Sequence, residues 1–382
     1  MGAFPARVPM DRQTDLIVVG AGIVGLAHAL AASRRGLRVL VVDRDAQANG
    51  ASVRNFGFVT VTGQQEGACW TRARRSRDVW LEVAPQAGIE VTQRGLIVAA
   101  RRPEAAAVLE AFLDTGMGSD CRLLAPAAAR ERMPTLRADA LQAVLWSPHE
   151  LRVESRDAVP RLARWLERVH GVRFLRGAQV TGVALPAVET TAGRFSAGAV
   201  VACPGDDFLS LYAARIAGYG LTRCALQMMR LAPARPLTLG AALMSDLGLV
   251  RYAGYTGLAP AAALRGRIER EEPEMLMHGV HLIAVQSSDG SLVVGDSHHY
   301  GATPGPFGSS AVDALILREL DRVLERPECA VTERWIGTYA SAPDRLMLVD
   351  RPSDRERVVI VTSGTGASTA FAIAEEVVAE LA

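Results

Sequence analysis

The sequence predicts an α/β protein of two lobes, the first of them a parallel sheet flanked by helices. Three observations lead there. The chain has 382 residues, more than the roughly 100–200 of a typical single domain. A strand, glycine turn, helix and second strand open it near Leu16, and another strand, glycine loop and helix, "VVIVTSGTGASTAFAIAEEV", close it at 358–377. Apolar residues make up 49% of the chain and are spread along its whole length, so nearly all of it is expected to pack.

"TDLIVVGAGIVGLAHALAASRRGLRVLVVDRD" places a strand at Leu16 to Val19, then Gly20, Gly22 and Gly25 in GxGxxG spacing, a helix to about Arg35 and a second strand ending at Asp43. Gly20 permits the tight turn, Gly22 lets the backbone approach a pyrophosphate, and Gly25 lets the helix pack closely on the strand. The helix start offers free N–H groups and partial positive charge to the phosphates. Asp43 lies 23 residues beyond Gly20, where a carboxylate accepts hydrogen bonds from both ribose hydroxyls of an adenosine. An adenine dinucleotide is therefore expected. The fingerprint serves FAD and NAD alike. After Asp43, however, comes "RDAQANGASVRNFGFVT", too long and too rich in small polar residues for an immediate third strand, which reads as a cofactor-covering loop.

"GVRFLRGAQVTGVAL" and "ETTAGRFSAGAVVACPGDDF" read as short strands ending in a glycine turn at Gly205. "AAAVLEAFLDTG" and "AVDALILRELDRVLE" carry helical periodicity among the strand-like stretches of the second lobe. The apolar run at 16–33 approaches membrane-spanning length, but its spaced glycines and His28 suit a strand, turn and helix.

Composition narrows the function. A net charge of +1 gives no overall field for nucleic acid or an anionic membrane, so a small-molecule partner is expected. All 42 basic residues are arginine, which removes Schiff-base and P-loop lysine chemistry and leaves anion recognition to guanidinium forks. Cys69, Cys121, Cys203, Cys224 and Cys329 are scattered and never in CxxC spacing, so neither a disulfide framework nor a metal site is expected, and a reducing cytoplasm fits. "MGAFPARVPMDRQTD" lacks the apolar core of an export signal.

Four segments stand in a telling order: "GASVRNFG" at 50–57, "GSLVVGDSHHYG" at 290–301, "ERWIGTYAS" at 333–341 and the terminal glycine loop. Together they resemble the D-amino-acid oxidase and glycine/sarcosine oxidase superfamily of FAD-dependent amine oxidoreductases, and more narrowly its subgroup associated with bacterial aminophosphonate breakdown. The resemblance implies a Rossmann-like FAD-binding lobe of residues 1–90, 153–215 and 331–382, and a mixed-sheet α+β substrate lobe of residues 91–152 and 216–330. It implies non-covalent FAD, since no cysteine stands in "GDSHHYG" or "ERWIGTYAS". The last helix, from about Ser368, would offer N–H donors and its dipole to the isoalloxazine end. FAD contacts are expected at Gly20, Gly22, Ile23, Gly25, Asp43, Arg44, Ser52, Arg54, Asn55, Val180 and Gly205, and at Gly364, Thr365, Gly366, Ala367, Ser368 and Thr369. The family more often carries a GGxGM-like loop at this last stretch, so Thr365 and Thr369 depart from its pattern.

The resemblance further implies oxidation of the C–N bond of a small amine, most directly an aminoalkylphosphonate. The imine would hydrolyse to an aldehyde and ammonia or methylamine, with oxygen giving hydrogen peroxide. An amino acid of glycine, sarcosine or D-amino-acid type is the alternative substrate. A dehydrogenase serving another electron acceptor, or a flavin-binding protein without catalysis, are the alternative classes. Arg54 would face the flavin, clamp an anionic substrate group or pair with FAD phosphate. Of His298 and His299, strand alternation turns one inward, and His298 is taken first as acceptor of the ammonium proton. Tyr339 and Trp335 would give the site an aromatic wall and a phenol donor, Tyr339 standing with His298 and Arg54 as a catalytic candidate, or pack in the core, and Tyr252 and Tyr255 have similar readings. Arg156, Arg223 and Arg251 are further candidate anchors for an anion.

Overall fold

The computed structural model describes residues 13–381, so most of the N-terminal stretch read for an export signal lies outside the described residues. The first and last glycine loops belong to one sheet of eight strands. Its central strands, Glu356–Val361, Gly193–Ala202, Gln13–Val19, Val39–Asp43 and Arg173–Arg176, lie side by side in that order and all run parallel. Runs such as "LIVV" and "VLVV" have no polar face, as expected of strands covered on both sides. Helices Ile23–Arg34, Ala68–Gln86, Ser155–His170 and Gly366–Ala379 share one core with one face of this sheet. Of the strands predicted before Gly205, Arg173–Arg176 is one of the parallel set, and Val180–Ala184 and Ala187–Thr190 pair antiparallel and join Gly193–Ala202.

The second sheet has ten strands and a larger core of its own. The sequence-based boundaries need correction here. Cys329–Ser341, assigned from residue 331 onward to the first lobe, pairs along its whole length with Thr222–Pro233 in the second sheet. The chain re-enters the first sheet only at Met347–Ser353. Phe58–Val59, also assigned to the first lobe, pairs with Leu151 and Arg152 in the second sheet. A twelve-residue antiparallel partner outweighs any local preference of a strand that could join either sheet. The two predicted helices of this lobe are present as Pro103–Leu113 and Ser310–Val323.

A buried ionic cluster ties this lobe together. Arg102 donates to Asp246 (2.7 Å) and Glu272 (2.6 Å), and Asp246 also accepts the backbone N–H groups of Arg101 and Arg102. Removing one partner of such a pair strands the other charge in a low-dielectric interior. Asp246→Ala is expected to cost about 3–5 kcal/mol in urea unfolding, and Asp246→Asn less, because the amide oxygen still accepts the two N–H groups.

Candidate active site

A long trough starts at the carboxyl ends of the first sheet's central strands. Val19, Gly20, Gly22, Gly25, Asp43, Arg44, Ser52, Val180, Cys203 and Gly205 line its first section. Ser52 accepts a hydrogen bond from Ile23 N at 2.9 Å, which sets the covering loop over the helix start. Asp43 accepts Ala21 N (2.5 Å) and Asp45 N (2.8 Å), so its carboxylate braces the turn and keeps further lone pairs for a ribose. Arg44 is held by Asp207 at 2.5 Å across the mouth. Val24, Ala51, Ser52, Gly205 and Asp206 line both this section and a deeper cavity, so the two adjoin.

The deeper cavity reaches the other glycine loop, whose residues 364–368 line it. The last helix begins at Gly366, two residues before the expected start, and no side chain caps it. A Cβ on Gly366 would stand 3.7 Å from Ile23 Cγ2, so the two helix starts adjoin. Gly364 has φ +71° and lies against the Tyr339 ring, 3.2 Å from a would-be Cβ to Cζ, a place for glycine alone.

Around this cavity stand Arg54, Arg251, Tyr252, His281, Asp296, His298, Tyr300 and Tyr339. Arg251 donates to Tyr300 Oη (3.1 Å) and Tyr339 Oη (3.4 Å). Among the described residues neither Arg251 nor Arg54 is in ion-pair contact with a carboxylate, whereas Arg44, Arg156 and Arg215 are. His298 is buried, with Nδ1 3.0 Å from Gly279 O, while His299 is exposed beside His278. Burial, with help from the Arg251 charge, holds the His298 and His281 imidazoles well below their ordinary pKa and therefore neutral. Burial pushes the Asp296 carboxyl up to about 8, against the pull of Arg251.

A family model described as "DAO: FAD dependent oxidoreductase" matches residues 15–381. The chain belongs to this DAO family of FAD-dependent oxidoreductases. Among solved structures, glycine oxidase from Geobacillus kaustophilus has the same fold, with a TM-score of 0.76 at 19% identity over 97% of this chain and 94% of that one. Dithionite-reduced L-α-glycerophosphate oxidase from Mycoplasma pneumoniae, with FAD bound, gives 0.73 at 16% identity over 97% and 94%. The sarcosine oxidase subunit alpha of Corynebacterium sp. (strain P-1) is 48% identical over 60 residues, which are 16% of this chain and 6% of that relative. That match is one local segment of a much longer protein.

FAD fits the residues of this DAO-family member. Two adjoining cavities lead from Asp43, beside one helix start, to Gly366, at an uncapped second one, and both starts issue from one sheet. Among the described residues no helix is long and apolar enough to cross a membrane.

The remaining sequence-predicted positions divide clearly. Asn55 lines the cavity, but its amide is spent on its own loop, donating to Ala51 O and accepting Gly57 N, both at 2.6 Å. The Ser368 hydroxyl accepts Thr60 N at 2.9 Å and so is engaged within the fold. Thr369, expected at the cofactor, instead donates back to Thr365 O inside its helix and is a correction to that reading. Trp335 is another. It lies in a neighbouring groove and donates to Arg54 O at 3.3 Å. The Arg54 backbone crosses the strand at Gly337, where a Cβ would meet Arg54 O at 2.6 Å, and this crossing divides Trp335 from Tyr339. Tyr255 is core, tilted on Phe112 at 4.9 Å. Arg223 donates to Ala302 O and Asp206 O, and Arg156 is paired with Glu333, which leaves Arg251 as the candidate anchor that faces the cavity. His281 and Asp296 were not singled out from sequence, although Asp296 sits inside "GDSHHYG".

Proposed function

We propose that this oxidoreductase acts on the C–N bond of a small amine bearing an anionic group, with an aminoalkylphosphonate of the 2-aminoethylphosphonate type as its first candidate. The observation that carries the proposal is Arg251, a guanidinium held by two phenols, lining the cavity with no carboxylate in ion-pair contact among the described residues. Such a fork takes two oxygens of an anion in charge-assisted hydrogen bonds. Arg54 brings a second positive charge to the same cavity, which suits the higher charge of a phosphonate. The resemblance of "SVRNFG", "GDSHHYG" and "ERWIGTYAS" supports the same choice. A carboxylate amine of the glycine, sarcosine or D-amino-acid type would use the same fork and is the second reading.

Bound FAD supplies the two-electron acceptor. This chain's residues do the positioning. Arg251, with Tyr339 and Tyr300 beside it, fixes the anionic end and so limits where the amine carbon can lie. Neutral His298 accepts the ammonium proton, leaving a nitrogen lone pair free to form the imine as the neighbouring C–H bond breaks. Water then releases an aldehyde and ammonia or methylamine. With no lysine in the chain, any positive charge assisting oxygen reduction must come from an arginine or an imidazolium.

The test is anaerobic mixing of the yellow protein with 2-aminoethylphosphonate, its N-methyl form, glycine, sarcosine, D-alanine and uncharged ethylamine. The anionic amines, phosphonates foremost, are expected to bleach the visible flavin bands. Bleaching by ethylamine as fast as by the zwitterions would remove the anion from the reading. Parallel turnover with oxygen and with an artificial dye separates an oxidase from a dehydrogenase.

A further inference from the structure

One wall of the cavity carries a cluster that positioning alone does not explain. His281 Nδ1 lies 3.1 Å from Asp296 Oδ1, and Asp296 Oδ2 lies 3.8 Å from His298 Nε2. On the far side His281 Nε2 is 3.4 Å from Tyr252 Oη. All three residues are at most 7% exposed. The His298 Nδ1–H donates to Gly279 O, which leaves its Nε2 as the lone-pair nitrogen turned toward Asp296. His281 Nδ1 and Asp296 Oδ1, though close, form no well-aligned hydrogen bond, so the buried cluster is not fully satisfied in this state. A buried polar network left incomplete beside a cavity calls for a functional reason.

We propose that His281, Asp296 and His298 form a proton relay, in which ionised Asp296 makes His298 the acceptor of the substrate's ammonium proton and His281 and Tyr252 continue the chain. This rests on the amine-oxidising reading and extends it to residues that need not touch substrate. The balance is simple. The ammonium N–H bond breaks, its proton joins His298 Nε2, and the imidazolium so formed is paired with the Asp296 carboxylate. No charge is added to the cluster beyond that proton. Asp296 and His281 are positioning residues in this scheme: Asp296 faces the Nε2 that takes the proton, while Gly279 O holds the other ring nitrogen.

Charged and titratable neighbours fit the scheme. Arg251 is permanently charged and favours the ionised carboxyl. Tyr252, Tyr339 and Cys224 are pushed up by burial, away from neutral pH, and His299 is pushed down by burial and then by His278. Tyr300 also faces Arg251. The three ligand-type atoms lie within 4.8 Å of one another, close enough to enclose a cation, but Arg251 beside a single carboxylate opposes a second positive charge.

Two measurements test the relay. First, kcat/KM for the best amine is followed against pH. The wild-type protein should lose about tenfold per pH unit as pH falls below the carboxyl's value of about 8. Asp296→Asn should lose that limb and fall about 10²-fold or more at the wild-type optimum, with His281→Gln intermediate. Second, stability is followed against pH without substrate. Asp296 binds a proton in the folded protein that the unfolded chain releases, so folding should weaken as pH rises to about 8. The neutral histidines act oppositely, but only below their ordinary value of 6.5. From there to about 8 the folding constant should drop about tenfold per unit in wild type and stay level in Asp296→Asn. That second result stands even if no amine in the panel reacts, so it separates failure of the relay from failure of the function. An Asp296→Asn protein that keeps both slopes overturns the relay. So does one equivalent of a divalent metal in purified wild type that is lost in this variant.

Discussion

Arg251→Met should lower kcat/KM for the preferred anionic amine by about 10²- to 10³-fold while changing that for an uncharged amine of similar size by less than about tenfold. The magnitude follows from losing one partner of a desolvated charge pair, about 2–5 kcal/mol, at 1.4 kcal/mol per factor of ten. Methionine keeps most of the side-chain volume, so Tyr300 and Tyr339, which accept from the guanidinium at 3.1 and 3.4 Å, can relax toward each other rather than collapse into a void. FAD content should be unchanged, because Arg251 lines the deeper cavity and not the section around Asp43. The paired comparison of charged and neutral amines is the decisive measurement. Equal losses for both would mean that Arg251 supports the cavity wall and does not hold the anion. Arg54→Met, by contrast, removes the charge nearer the covering loop, and its effect on FAD retention distinguishes a cofactor contact from a substrate contact.

Gly25→Ala should yield protein that fails to retain FAD and unfolds at much lower temperature. A Cβ there would lie 1.9 Å from Gly20 O and 3.0 Å from Gly20 C, both backbone atoms of the turn that begins the trough. Neither can rotate away as a side chain would, so the helix Ile23–Arg34 must lift from its strand. Overpacking a well-formed core costs about 1–3 kcal/mol when side chains can adjust, and a backbone collision exceeds that. The helix is buried along most of its length among strands and the helix Gly366–Ala379, so its displacement disturbs both ends of the trough at once. Gly257→Ala is the control. It has nothing within 4 Å and no left-handed φ, and its stability should stay within about 0.5 kcal/mol of wild type. Loss of the yellow chromophore in the first variant with retention in the second, read after gel filtration, checks the point.

Much of the cofactor trough was legible because its determinants are contiguous. Gly20, Gly22, Gly25 and Asp43 stand within one strand–turn–helix–strand unit, and all four line the trough. The terminal loop was legible for the same reason, to within two residues of its helix start. Alternation implies that one of His298 and His299 turns inward but does not say which; in the fold His298 is buried and His299 exposed. Thr369 was misjudged because a threonine in the first turn of a helix can bond its own backbone, and nothing in the sequence says which way the hydroxyl turns.

The sequence by itself determined the class of protein: an α/β chain whose two extremities each carry a strand, a glycine loop and a helix start suited to one dinucleotide. Those are local instructions, written in turn residues and apolar runs that need no distant partner to be read. Only the tertiary structure decided which polar side chains share a cavity. Arg251, His281 and Asp296 come from three separate segments and look unremarkable in each, while Arg156, Arg223 and Trp335 were equally eligible until Glu333, Ala302 and the Arg54 backbone claimed them. The assignment of Cys329–Ser341 to the second sheet came the same way, from a twelve-residue ladder with a strand about a hundred residues earlier. Such choices depend on long-range pairing and burial, which are properties of the packed chain and of no single stretch of it.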